Sequence, residues 1–311
     1  MKLFTPPALL AAAMGFENYV LQPPVRAGFD AKSPAVEFVR AGHRAEPSRV
    51  FGLQGVLTPG WNAVYGLETV HGVDALQTPW LRELFDVSHY AWAASWKLYV
   101  MPENAGQARS LLDALNVRYY LDAAAHRSVV SSALKLAHVA DLDVYESNTV
   151  WPRAFFTDRV DTYADPADLV KKILASNGRP FAAVATGQPA AQPALARLAG
   201  GAASRTVAPA TNYRLTENTT AFAVRATGPG VVVLAEAWWP DSFRVDVNGR
   251  RASIVRVNHA FKGVLIEAAG DYRITFSYWP RHFTRYVMLS AIGAVLAIGS
   301  LLIALRPARP V

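Results

Sequence analysis

Two aspartates one residue apart, Asp141-Leu142-Asp143, form the pattern in this sequence that most resembles a metal-dependent transferase motif. On a strand, alternate side chains share a face, so two such carboxylates could hold a divalent cation beside a diphosphate. Short acidic patterns also arise on ordinary solvated strands, and that plainer account is the better one. His71 and Asp74, in GLETVHGVDAL, have the chemistry of an acid–base pair, but no nucleophile or second ring partner stands nearby. His126 and His138 lie twelve residues apart with no third ligand in view, which falls short of a metal site. GxGxxG, GxSxG, P-loop and HExxH patterns are missing, and there is no cysteine for thiolate chemistry. The expectation is a chain with no catalytic residue, no metal and no cofactor of its own.

Aromatic side chains are the better candidates for a functional surface. Trp238 and Trp239, joined by Trp279, offer flat apolar faces that stack on sugar rings or lodge at a lipid interface. Their competing role is sandwich core and, above all for Trp279, a membrane belt. Arg256, Asn258 and Lys262 have the groups to contact lipid phosphate or sugar hydroxyls. His259, between two of them, reads as a structural or surface residue.

What positions these residues follows from composition and patterning. A chain of 311 residues is long enough for two modest domains. It is 52% hydrophobic and only 18% charged, which excludes disorder as the main state. The net charge of +7 is concentrated at one end: Arg281, Arg285, Arg306 and Arg309 follow Pro280, where there is no Asp or Glu. Removing those four from the 31 basic residues leaves 27 against 24 acidic ones, an excess of three and too little for a nucleic-acid surface.

Tyr286 to Leu305 is a run of twenty uncharged residues, and as a helix it measures about 30 Å, the thickness of a bilayer core. Tyr278, Trp279 and Tyr286 supply aromatics on one side, and Arg306 and Arg309 close the other. A buried core helix is the alternative, but such helices rarely lack polar residues for five turns. The flanking arginines tie at two on each side, so local charge does not orient the span. Phe4 to Met14 is too short to cross and is broken by Pro6 and Pro7; with Lys2 it makes a poor signal peptide. Read alone, the chain would be tail-anchored with its bulk in the cytoplasm.

Ahead of the span lie two kinds of pattern. After an N-terminal segment, 1–32, residues 33–186 mix helix and strand signals and predict an α/β lobe. Ser33-Pro34, Thr78-Pro79 and Asp165-Pro166 are N-caps followed by proline at the first helical position. Leu111, Leu112 and Leu115 form a helical stripe before the strand VRYYL. The strand RAFFT, the helix after Asp165 and the strand PFAAVAT predict a right-handed strand–helix–strand unit. Residues 187–210 are rich in Ala, Pro and Gly and predict a linker. In 211–280 the period becomes two: Phe243, Val245 and Val247 alternate with polar residues, as do Tyr272, Ile274, Phe276 and Tyr278. Asn248-Gly249 is a type I′ hairpin signal. Six or seven short strands there predict an antiparallel β-sandwich. The expected fold class is therefore α+β: an α/β lobe, a β-sandwich and a single C-terminal transmembrane helix at 286–305.

The stretch VVVLAEAWWPDSFRVDVNGRRASIVRVNHAFKGVLIEAAGDYRITFSYWP, followed by that helix, resembles the C-terminal end of the bacterial YfhO-like membrane proteins. The resemblance rests on Trp239-Pro240, Val247-Asn248-Gly249, the segment Val255 to Val264, and Phe276, Tyr278 and Pro280. Weaker likenesses are PSRVFGL, YGLETVHGVDAL and WPRAFF, so it extends over roughly Ser33 to Leu305. It implies the soluble region and last helix of a polytopic, C-type glycosyltransferase-like protein that uses lipid-linked sugars in the cell envelope. The acidic catalytic residue of such enzymes belongs between early membrane helices, and no position here inherits it. The chain is then expected either to be part of a longer protein or to work beside a separate membrane-embedded partner. The resemblance further implies that the bulk lies outside the cytoplasm, with 306–311 as a cytoplasmic tail. Expected partners are the bilayer, that membrane partner, and a glycopolymer or lipid-linked sugar. A free-standing, membrane-anchored carbohydrate-binding protein is the alternative.

Overall fold

The computed structural model describes residues 32–304 except 58–60, 71–77, 90–91, 95–96, 189–192 and 200–204. Helices form where the caps predict them. The Ser33 hydroxyl accepts from Val36 N at 3.2 Å and starts α1, Pro34–Ala45. Thr78 accepts from Leu81 N and starts α2, Pro79–Ser88, which buries Leu84 and Phe85. The leucine stripe gives α3, Ala105–Ala114, with Leu111 and Leu112 inward. Asp165 accepts from Asp168 N at 2.8 Å and starts α4, Pro166–Ala175, which buries Leu169, Val170 and Ile173. Each cap satisfies an orphan N–H of the first turn, and proline loses nothing there because its position has no intrahelical acceptor.

The first sheet belongs to the lobe. It is a four-stranded arrangement of β1 (Arg49–Gly52), β4 (Val117–Asp122), β6 (Asp143–Glu146) and β5 (Lys135–Val139), in that order. The β1–β4 pair is parallel and the others antiparallel. A small hairpin, β2 (Trp92–Ala94) with β3 (Lys97–Tyr99), lies beside it in sequence.

The sandwich has two five-stranded antiparallel sheets. The inner sheet runs β10 (Val207–Pro209), β7 (Ala154–Thr157), β13 (Gly230–Ala237), β17 (Phe261–Ile266), β16 (Ile254–Val257). The outer sheet runs β11 (Thr211–Leu215), β12 (Thr219–Ala226), β18 (Gly270–Tyr278), β14 (Phe243–Val247), β15 (Arg250–Ala252). Asn248 and Gly249 sit at φ 50° and 78° between β14 and β15, the left-handed pair that a type I′ turn requires. Between Ala252 and Val257 the chain changes sheets: β15 pairs in the outer sheet and β16 in the inner, with Ser253 at the corner.

The inner sheet is covered on both faces. Phe155, Val231, Val233, Val257 and Phe261 pack into the lobe core with Leu84, Leu112 and Trp151. Phe156, Val232, Leu234, Val264 and Ile266 face Phe222, Val245, Ile274 and Phe276 of the outer sheet. The apolar run Val231–Ala235 within β13 follows from this, because a strand with no wet face need not alternate. In the outer sheet β12 and β18 do alternate, since one side meets solvent. Gly230 opens β13 where a Cβ would collide with the Phe156 ring and the Thr157 carbonyl.

The expected strand–helix–strand unit begins one strand later than its sequence suggests. RAFFT does give a strand, but β7 inserts between β10 and β13 of the sandwich. Parallel pairing around α4 is made instead by β8 (Val160–Tyr163) and β9 (Ala182–Ala185). Within the stretch read as a linker, Pro193–Leu198 is helical with Leu195 buried, and Val207–Pro209 is β10. At the other end of the chain, α5 (Phe283–Ala304) starts three residues before the predicted span. It is long and apolar enough to cross a membrane, and none of Phe283–Leu302 is buried.

Candidate functional site

Strand β13 ends at Ala237, which leaves Trp238 and Trp239 just beyond the inner sheet. The Trp238 N–H donates to the Ala260 carbonyl at 2.7 Å and fixes this exit. Across from it, the second residue of α2 is Trp80, and the two indoles meet edge to face at 4.6 Å and 69°. Arg256, on β16, places its guanidinium carbon 5.2 Å from the Trp238 ring centre and 5.6 Å from that of Trp80. Both indoles are half-buried, so each keeps part of a face toward solvent. The main chain at Arg256 is held in turn, because Gln188 donates to its carbonyl at 3.0 Å.

Beside this cluster runs a polar chain. Glu83 lies one helical turn from Trp80, the spacing that brings two side chains onto one face. Its carboxylate is 2.6 Å from His259 Nε2, and Tyr163 Oη is 3.2 Å from His259 Nδ1. A tyrosine O–H donating to Nδ1 and an Nε2–H donating to Glu83 satisfy both ring nitrogens. Burial raises the Tyr163 hydroxyl above its usual range, opposed by the nearby Arg256 charge, so the phenol stays a neutral donor. His259 and Tyr163 are buried while the Glu83 side chain is half-exposed, so the chain anchors a surface carboxylate rather than exposing an imidazole. Two indoles and a guanidinium are thus in mutual contact, with the half-exposed Glu83 carboxylate one helical turn from Trp80; these are group types able to stack on a sugar ring and bond its hydroxyls.

The remaining sequence candidates lie elsewhere. Asn258 is buried: Oδ1 accepts from Ala183 N at 2.6 Å and Nδ2 donates to Phe181 O at 2.8 Å. It ties the β16–β17 turn to β9 and is not a surface contact. At 1% exposure Lys262 is not one either. Its Nζ lies 3.1 Å from Glu236 Oε2 and 3.6 Å from the Phe243 ring centre. Trp239 is exposed beside the cluster. Trp279 is far along the chain, at the base of α5, where Arg244 lies over its ring at 4.7 Å.

Lys262 belongs to a buried charge network at the seam between lobe and sandwich. Arg153 directs two nitrogens to Glu236 Oε1, at 2.8 and 3.1 Å, and a third to Glu68. Thr220 adds a hydroxyl donor to Glu236 at 2.9 Å. Arg49 donates to the carbonyls of Leu115 and Ala235, joining β1 to the end of β13. Burial alone would raise the Glu236 carboxyl; the charges of Lys262, Arg153 and Arg49 outweigh it and hold it at about 2. Burial, then Arg153, push the Arg49 guanidinium down to about 10. The cleft of about 310 Å³ that reaches this seam carries Glu217 and Glu236 opposite Arg153 and Lys262. Its charges balance, which gives an anionic ligand no net attraction.

The acidic and histidine patterns have structural partners. Asp141 accepts from Ala35 N at 2.9 Å in the first turn of α1. Asp143 is buried and takes two bonds of 2.7 Å from Arg127. These two carboxylates therefore have separate duties, unlike the paired ligands of a metal site. His126 pairs with Asp122 at 3.0 Å, and His138 stacks on Phe38 at 4.7 Å. His71 and Asp74 fall outside the described residues. Among the described residues, no three His, Cys, Asp or Glu side chains are grouped to hold a metal ion.

Trp80, Glu83 and the Glu236–Lys262 pair are absent from the sequence reading. A signal existed for each. Trp80 and Glu83 are i and i+3 on a capped helix, and the charges in VVVLAEAWW and AFKGVLI interrupt apolar runs where a buried partner is required. The chain matches no protein-family model, no curated protein and no solved structure.

Proposed function

We propose that this protein is a membrane-anchored, non-catalytic module that holds its folded head outside the cytoplasm, in a YfhO-like system of cell-envelope glycosylation. In this reading α5 spans the bilayer with residues 306–311 in the cytoplasm. The sugar-transfer chemistry belongs to a membrane-embedded partner domain or subunit of the C-type glycosyltransferase kind. The observation that carries the reading is the join between sandwich and helix. β18 runs to Tyr278 and α5 begins at Phe283, so four residues separate a folded strand from an exposed apolar helix. An exposed apolar surface of that size is not sustained in water, and its nearest neighbours are the aromatic and arginine residues of a lipid interface. The resemblance of Val231–Pro280 to the YfhO-like proteins supplies the side of the membrane and the nature of the partner.

The test has three readouts on the full chain in cells. The protein should resist carbonate extraction from membranes, the head should be digested by protease added from outside, and a polytopic membrane partner should co-purify in mild detergent. A head protected from external protease would reverse the orientation, and a protein released by carbonate would end the reading.

The Trp80–Trp238–Arg256 cluster favours a second property, recognition of a saccharide by the head itself. Trp80→Ala with Trp238→Ala should weaken binding to the cognate oligosaccharide by about 2 kcal/mol or more, roughly thirtyfold. Unchanged affinity in that double variant would defeat it.

A further inference from the structure

The base of α5 is a built site as well as a connection. A cleft of about 280 Å³ opens where β14 begins, β18 ends and the helix starts; Arg244, Trp279, Arg281, Thr284 and Arg285 are among its walls. Its fixed element is Trp279, whose indole N–H donates to the Thr284 hydroxyl at 3.2 Å and whose ring packs edge-on against Phe283 at 5.2 Å. Arg244 lies across the other side of that indole, its guanidinium 4.7 Å from the ring centre. Arg281 is 3.1 Å from Asp241, but both side chains are about two-thirds exposed (68% and 64%), so the pair is weak and exchangeable. Arg285 has no carboxylate partner among the described residues. Three guanidinium groups therefore face one carboxylate, in contrast to the balanced cleft at the seam.

We propose that this cleft binds the phosphate of one anionic phospholipid, of the phosphatidylglycerol class, from the leaflet that α5 enters. The inference rests on the membrane-spanning reading of α5. Position selects a lipid over a soluble phosphate: the cleft is contiguous with Phe283, the first residue of the apolar helix, which puts it at headgroup level. Residue type points the same way. Arginine presents two parallel N–H donors to a phosphodiester, while the exposed Trp279 ring beside Phe283 would meet the glycerol and upper acyl carbons.

The experiment uses the full chain, solubilised in a neutral detergent and equilibrated with equal amounts of phosphatidylglycerol and phosphatidylcholine. Co-purifying lipid is then quantified by headgroup. Wild type should retain phosphatidylglycerol over phosphatidylcholine by at least tenfold, since each interfacial arginine contributes about fivefold. Arg244→Gln, Arg281→Gln and Arg285→Gln together should bring the ratio to near one. Arg285→Gln alone, at an exposed position that cannot disturb folding, should lower it about fivefold. Equal retention of the two lipids by wild type would overturn the proposal, as would a preference that survives the triple variant. Release of the lipid by excess inorganic phosphate would overturn the lipid assignment in favour of a soluble anion. The spanning reading is checked separately with pure phosphatidylcholine vesicles, into which wild type and the triple variant should both insert. Failure there would count against the helix rather than the cleft.

Discussion

The seam and the base of α5 use the same side chains in opposite ways. At the seam Arg153, Arg49 and Lys262 are buried, and their geometry is closed around Glu236 and Glu68. At the base of α5, Arg281 and Asp241 meet at a similar distance but stand in solvent, and Arg285 has no described partner. Coulomb attraction at one distance differs severalfold between a buried and a wet environment, and so does the desolvation cost behind it. A buried network can hold two halves of a protein in register but cannot exchange its partners. An exposed, unbalanced group adds little to folding and stays free for a ligand. Burial, not residue type, separates the structural cations from those free to bind.

The contrast is broken most directly at Glu236. Glu236→Gln leaves three buried cations with only Glu68 to answer them, and should cost about 3–5 kcal/mol of unfolding free energy in a urea titration followed by circular dichroism. A loss under 1 kcal/mol would mean the seam is wetter than its burial indicates. Next in size is the acid limb of stability. Because the folded carboxyl titrates near 2, below its ordinary value of 4.5, its contribution is complete above the ordinary value and disappears as pH falls toward 2. Wild type should lose about 3 kcal/mol across that window that Glu236→Gln does not lose. Coincident pH profiles would refute the depressed carboxyl. A smaller effect separates lost packing from stranded charge: adding Lys262→Met to Glu236→Gln should restore about 1–2 kcal/mol. The least effect is expected at the exposed end, where Asp241→Asn should change stability by under about 0.5 kcal/mol. It should also strengthen phosphatidylglycerol retention, because it removes the one carboxylate facing the arginines.

How far the sequence carries depends on the range of the interaction. Ser33, Thr78 and Asp165 each cap a helix through an N–H three residues ahead, so local reading finds them. Asn248-Gly249 and the apolar run of α5 are equally local, and the type and place of those elements were legible. Pairing was not. RAFFT has the composition of a strand wherever it lies, and nothing within it says that Val231–Leu234, some 75 residues later, is its neighbour. The same limit hid half of the aromatic cluster. Trp238 is conspicuous beside Trp239 and Pro240, but Trp80 joins it only through the packing of α2 on the inner sheet. Asn258 and Lys262 looked like surface ligands because polar residues usually are; only the double cover of the inner sheet turns them inward.

That inner sheet also dictates an order of assembly. Strand β7 leaves the ribosome long before β13 and β17, yet β13 is one of its two neighbours and β17 lies one strand further on. Until residue 266 has emerged, β7 carries Phe155 and Phe156 with no finished sheet to shelter them, and the lobe lacks one wall of its core. Closure over such long chain separations is slow, so the newborn head needs protection of its aromatic strand until the last strands arrive, immediately ahead of the apolar helix.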